Sequence, residues 1–101
     1  MRRGFVYLLA SYKRRTIYCG VTSDLPSRLH DHQMKIDPKS FTALHDVTRL
    51  VWFDDYELIT DAIQREKTIK GWPRQWKINL IEENNPEWLP LHPETGAFQR
   101  G

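Results

Sequence analysis

The 101-residue chain predicts an α/β domain: a small three-stranded, mainly antiparallel sheet flanked by helices, in the order β-β-α-β-α-α. Three observations predict it. Two runs rich in Val, Ile, Tyr and Leu, residues 4–10 and 16–21, flank the polar stretch Ser11-Tyr12-Lys13-Arg14-Arg15, which reads as a β-hairpin with a longer loop. A third apolar run, Arg49-Leu50-Val51-Trp52-Phe53-Asp54, reads as a buried strand. Capped segments with helical apolar spacing separate and follow these strands.

The elements follow in order. After the hairpin, Asp24 is a good N-cap and Pro26 suits a first helical turn. Leu25 and Leu29 then share one face, and the helix fades before Pro38. Residues 36–46 read as irregular. After the third strand, Thr60 caps a helix that runs to about Lys70, with Gly71 as its stop. Pro73 opens another helix, with Trp76, Leu80 and Ile81 as its apolar stripe, and Asn84-Asn85-Pro86 ends it. The remaining segment, with Pro90 and Pro93, reads as irregular, with Trp88 and Leu91 packing it onto the body. Residues 1–91 form one domain and 92–101 a tail.

Composition bounds the function. With 28% charged and 40% hydrophobic residues the chain is an ordinary globular one. Its one cysteine, Cys19, excludes an internal disulfide or a cysteine–zinc cluster. No stretch approaches the roughly 20 apolar residues of a membrane span, and a cytoplasmic location is the expectation. The net charge of +2 is unevenly spread. Residues 1–35 hold seven basic against two acidic residues, and residues 61–81 hold five against two. Merged in the fold, two basic segments can hold a polyanion; apart, they are solvated surface.

Three groups of residues have chemical potential. Tyr7 and Tyr18 lie on the two hairpin strands and face each other if positions summing to 25 pair. Gly20 in the second strand marks a close approach by a ligand or by another backbone. Taken alone, these are equally two core tyrosines and a bulge glycine. Arg28 and His32, four apart, share a helix face. The Arg fork suits phosphate oxygens, and the His suits holding a phenol or relaying a proton. Glu66 sits mid-helix, where one carboxylate suffices for a largely hydrated Mg²⁺. It is equally placed to pair with Lys70 at i+4.

Together these segments resemble the GIY-YIG nucleases, especially their short single-domain bacterial members. The two signatures stand as Phe5-Val6-Tyr7 and Tyr18-Cys19-Gly20, with Phe5 for Gly, Val6 for Ile and Cys19 for Ile. Tyr18 through Leu25, then Arg28-Leu29 and His32, resemble the family's second strand and first helix. Phe41-Thr42 and Leu50-Val51-Trp52 resemble the segment into the third strand. Arg65-Glu66-Lys67-Thr68-Ile69-Lys70-Gly71-Trp72 resembles the helix with the metal ligand, and Asn85-Pro86-Glu87-Trp88 the ending of short members. The resemblance covers about residues 4–91.

It implies a metal-dependent endonuclease acting on DNA, with low sequence specificity and a place in repair or recombination. Glu66 would ligate a single Mg²⁺ or Mn²⁺. Arg28 would bind a phosphate oxygen, Tyr7 or Tyr18 would take the water's proton, and His32 would hold a tyrosine. Gly20, Lys67 and Lys70 would lie at the substrate. His45 would stand in for a lysine that similar proteins carry after Phe41-Thr42. Asn79, on the following helix, is a weaker candidate for ordering the site. Two other readings stay open. One is a catalytically impaired nucleic-acid-binding module of the same fold. The other is a protein-interaction domain with Trp72, Trp76 and Trp88 on its surface.

Overall fold

A computed structural model describes residues 2–11 and 16–98. The basic run Lys13-Arg14-Arg15 and residues 99–101 lie outside the described residues. Strands β1 (Gly4–Ala10) and β2 (Ile17–Thr22) form the hairpin, and β3 (Arg49–Tyr56) pairs antiparallel with the other edge of β1. The sheet order is therefore β2-β1-β3, with the most apolar strand in the centre.

The hairpin register differs from the expected one. Tyr7 pairs with Gly20, and Leu9 with Tyr18. Ala10 pairs with Ile17 and the Ser11 amide donates to the Thr16 carbonyl, so the partner of Ala10 lies two residues further along than the expected register places it. A shift of two residues preserves the alternation of faces. Tyr7 and Tyr18 thus keep one face but sit diagonally, with ring centroids 6.3 Å apart.

Each face has its own core. Tyr7, Leu9 and Leu50 pack against Leu25 and Leu29 of α1 (Leu25–Gln33). Asp24 starts that helix by accepting from the Ser27 amide at 3.2 Å. On the opposite face, Val6, Leu8, Cys19 and Val51 pack against Ala62 and Ile69 of α3 (Ile59–Lys70) and against Ile78 and Ile81 of α4 (Arg74–Glu82). No helix among the described residues is long and apolar enough to cross a membrane.

Three local expectations are corrected. Residues 36–46 contain a short helix, α2 (Phe41–Leu44), because the Ser40 hydroxyl caps it by accepting from the Ala43 amide at 3.2 Å. Thr60 does not cap α3; the helix begins one residue earlier, and the Ile59 amide donates to the Arg2 carbonyl across to the start of β1. Gly71 does end α3, as expected, in a right-handed conformation. On α4 the inward stripe is Ile78 and Ile81, whereas Trp76 is 54% exposed and sits edge-on to Trp72.

Beyond α4, Asn85 ties the chain to the sheet. Its buried amide donates to the Val51 and Leu89 carbonyls and accepts from the Leu89 amide, all within 3.1 Å. Trp88 is fully buried, so the three-tryptophan surface patch does not exist as proposed. Its indole N–H donates to Glu82 and its carbonyl accepts from Arg49. The Leu91 amide then joins the Leu50 carbonyl, and Leu91 bridges Phe98.

Candidate active site

α1 lies over the face of the hairpin that carries the tyrosines. Leu25 and Leu29 point into the core, and the same helical spacing turns Arg28 and His32 towards Tyr7 and Tyr18. The structure therefore brings four of the candidate residues together. The His32 Nε2 atom lies 3.1 Å from the Tyr7 hydroxyl, and its ring centroid lies 5.6 Å from that of Tyr18. The Arg28 guanidinium lies beside the Tyr7 hydroxyl, close enough to act on it.

The direction of this network follows from donor counting. A guanidinium only donates, so Arg28 uses the phenol oxygen of Tyr7 as acceptor. Tyr7 is 1% exposed, and its own O–H needs an acceptor, which His32 Nε2 supplies. His32 Nδ1–H then donates to the Thr42 hydroxyl at 2.9 Å, and Thr42 reaches Ser40 at 3.3 Å. Burial pushes the Tyr7 phenol up to about 12, against the lowering effect of Arg28. Tyr7 is therefore a protonated donor that fixes Arg28 and His32.

Burial, aided by the Arg28 charge, lowers the His32 pKa from its ordinary value. The unfolded chain then binds the proton more readily than the folded one. This contribution to stability is present above the ordinary histidine pKa of about 6.5 and declines as pH falls below it towards the folded value. His32→Gln removes the titration. Its melting temperature should fall less than that of the wild type between about pH 7.5 and 5.5. Equal falls in both proteins would show that His32 is not the group responsible.

Gly20 has a reason other than ligand access. A Cβ at this position would lie 2.4 Å from the Tyr7 hydroxyl and 2.5 Å from Cζ. The group that approaches is the Tyr7 side chain, whose phenol lies across the bare backbone, and not another backbone.

Beside this network opens a cavity of about 360 Å³ whose walls include Tyr18, Arg28 and His32. Thr42 and Phe41 of α2 complete the wall. Neither was singled out for a role from sequence. The Ser40 cap ahead of Thr42 was the available signal, since it makes residues 41–44 helical and turns adjacent side chains to opposite sides. Thr42 is buried on His32, and Phe41 is exposed with its ring 6.4 Å from Tyr18. His45 does not line the cavity; it lies against Phe41, with centroids 4.5 Å apart.

Glu66 is across the sheet. α3 carries it on the face opposite α1, beside the edge strand β2, where its charge helps raise the buried Cys19 thiol to about 11, after burial itself. Its side chain is 13% exposed and holds Lys70 Nζ at 3.0 Å. Lys70 is in turn within electrostatic reach of Tyr18. Lys67 is exposed on the same helix. Asn79 accepts from Gln75 on the surface of α4. Among the described residues no group of three His, Cys, Asp or Glu is placed to enclose a metal. The single carboxylate of Glu66 could serve a hard ion that keeps most of its waters. Lys70 already places a positive charge on that carboxylate.

Comparison with known proteins agrees with this geometry. The model of the GIY-YIG catalytic domain matches residues 3–79. The chain is 32% identical over 79 residues to UPF0213 proteins of Staphylococcus aureus strains Mu50 and N315, covering 78% of this chain and 94% of each relative. No solved structure matches. From the hairpin signatures to the helix with Glu66, this chain belongs to the GIY-YIG family.

Proposed function

We propose that the chain is a metal-dependent endonuclease that hydrolyses DNA phosphodiester bonds with low sequence specificity, as suits repair or recombination. Residues 1–91 are its nuclease domain. The observation that carries this reading is the position of Arg28. Its guanidinium lies beside the buried Tyr7 phenol and lines a cavity that Tyr18 also lines. A preorganised fork of donors beside a phenol is suited to a phosphate and its attacking water.

The roles follow from exposure. Arg28 holds a non-bridging phosphate oxygen. Tyr18, half-buried and open to the cavity, takes the proton of the water whose oxygen bonds to phosphorus as the 3′ oxygen leaves. The charges of Arg28 and Lys70 reach Tyr18 from the two sides of β2. Tyr7 is a positioning residue, because its buried hydroxyl is spent on Arg28 and His32. Glu66 would hold the Mg²⁺ or Mn²⁺. Such an ion supplies positive charge against the phosphate and the leaving oxygen.

The test is cleavage of labelled single-stranded, duplex and flapped DNA in Mg²⁺, Mn²⁺ or EDTA. Cutting should appear only with metal and fall by about 10²–10⁴-fold in Tyr18→Phe, the scale of a lost general base. Cutting that persists undiminished in Tyr18→Phe would move the base role elsewhere. The Glu66–Lys70 pair favours a second reading, a DNA-binding module that no longer cuts. Metal-independent, salt-sensitive binding without strand breaks would establish it.

A further inference from the structure

We infer that the cavity beside Tyr18 is a nucleobase pocket, and that this protein binds DNA through an unpaired nucleotide stacked on Phe41. The inference rests on the nuclease reading of the same site and deepens it by naming the form of the strand.

Three observations carry it. The first is an apolar ring held half exposed at the cavity. Phe41 is 48% exposed, while its neighbour Thr42 is buried on His32. The Ser40 cap and the Thr42 anchor fix α2 on both sides of Phe41, so the ring is presented rather than left loose. Phe41 lies close to parallel with Tyr18, the ring planes 27° apart, and the two form an aromatic wall. Ile36 also lines the cavity and is 67% exposed. Exposed apolar groups gathered at one cavity mark a binding surface more often than chance.

The second observation is charge. Arg28 and Lys35 line the cavity, but so do the carboxylates of Asp31 and Asp37, and Lys35 is paired with Asp46 at 3.1 Å. A cavity with balanced charge does not attract a second phosphate. It suits a neutral, flat group with both donors and acceptors. A base offers that: amino hydrogens for the carboxylates, and ring nitrogen and carbonyl acceptors for the cations and for the Ser40 hydroxyl. The third observation is size. At about 360 Å³ the cavity lies at the low end of the roughly 300–1,000 Å³ range of small-ligand sites, enough for one base and not for a paired duplex. A base in duplex DNA has its faces covered and its pairing edge in use, so only an unpaired one can enter.

The experiment measures binding in EDTA, where cleavage plays no part. A fluorescent single strand containing 2-aminopurine, and its fully paired duplex, are titrated with wild-type, Phe41→Ala and Phe41→Trp proteins. The wild type should prefer the single strand and quench the 2-aminopurine. Phe41→Ala should bind it roughly 5- to 150-fold more weakly and lose the quenching, the scale of one base–aromatic stack. Phe41→Trp should restore both. Phe41 is too exposed to hold the fold, and circular dichroism checks that. Equal binding by folded Phe41→Ala and wild type overturns the pocket, as does a duplex bound as tightly as the single strand. With metal restored, equal cutting by wild type and Phe41→Ala leaves the nuclease intact and removes the pocket. Phe41-dependent quenching with no cutting of any DNA does the reverse.

Discussion

Glu66→Gln is expected to reduce cleavage to background while leaving the fold nearly as stable as before. The carboxylate is the one acidic oxygen source that α3 offers at the β2 edge, and glutamine keeps its shape while removing its charge. An amide oxygen does not hold a hydrated divalent ion at this site with one protein ligand. The stability cost comes from the Glu66–Lys70 pair. Lys70 is half exposed, so the pair is largely screened and contributes at most about 1 kcal/mol. Thermal melting and cleavage measured on the same preparation separate the two effects. Retained cleavage in Glu66→Gln, at any concentration of Mg²⁺ or Mn²⁺, would remove Glu66 from the metal role. A collapse of the melting temperature would show that the carboxylate is structural.

The elements that were legible in the sequence are those specified by neighbours in the chain. Asp24 reads as a cap because its carboxylate needs only the amide three residues on. The common face of Arg28 and His32 needs only helical spacing. The hairpin register was less legible, because loop length is set by the turn and the pleat reveals only parity. The tyrosines therefore kept their face and lost their direct opposition. α2 has no apolar period over its four residues. It is held by the Ser40 cap and by a tertiary bond from Thr42 to His32, ten residues back in the chain. The same long-range bond hid Thr42 from the reading of the site. Trp76 was taken as inward because tryptophan is apolar, yet Ile78 and Ile81 fill that side and Trp76 stays outside against Trp72. Asn85 and Trp88 read as a helix stop and a tail anchor. Their deeper role depends on Val51 and Arg49, which lie more than thirty residues away.

Gly20→Ala is expected to lower both stability and cleavage, and the sign of the effect is diagnostic. At a strand position without backbone strain, alanine for glycine normally stabilises by about 0.4–1 kcal/mol, because it restricts the unfolded chain. Here the new methyl would overlap the Tyr7 ring at 2.4–2.5 Å and crowd Tyr18 Cε2 at 3.0 Å. Tyr7 cannot swing away cheaply. It is buried among Leu9, Leu25 and Leu29 and bonded to His32 and Arg28. Overpacking of this kind costs about 1–3 kcal/mol. For a domain of this size that is a fall in melting temperature of roughly 4–20 °C. Displacing the phenol also disturbs Arg28, the residue proposed to hold the phosphate, so cleavage should fall further than the loss of folded protein explains. A double-mutant cycle with Tyr7→Leu isolates the contact. If the overlap is the cause, Gly20→Ala costs much less once the ring is gone, and the two effects are not additive. A neutral or stabilising Gly20→Ala in the wild-type background would mean that the Tyr7 phenol does not depend on a bare backbone at Gly20. The fixing of Arg28 by Tyr7 would then need another explanation.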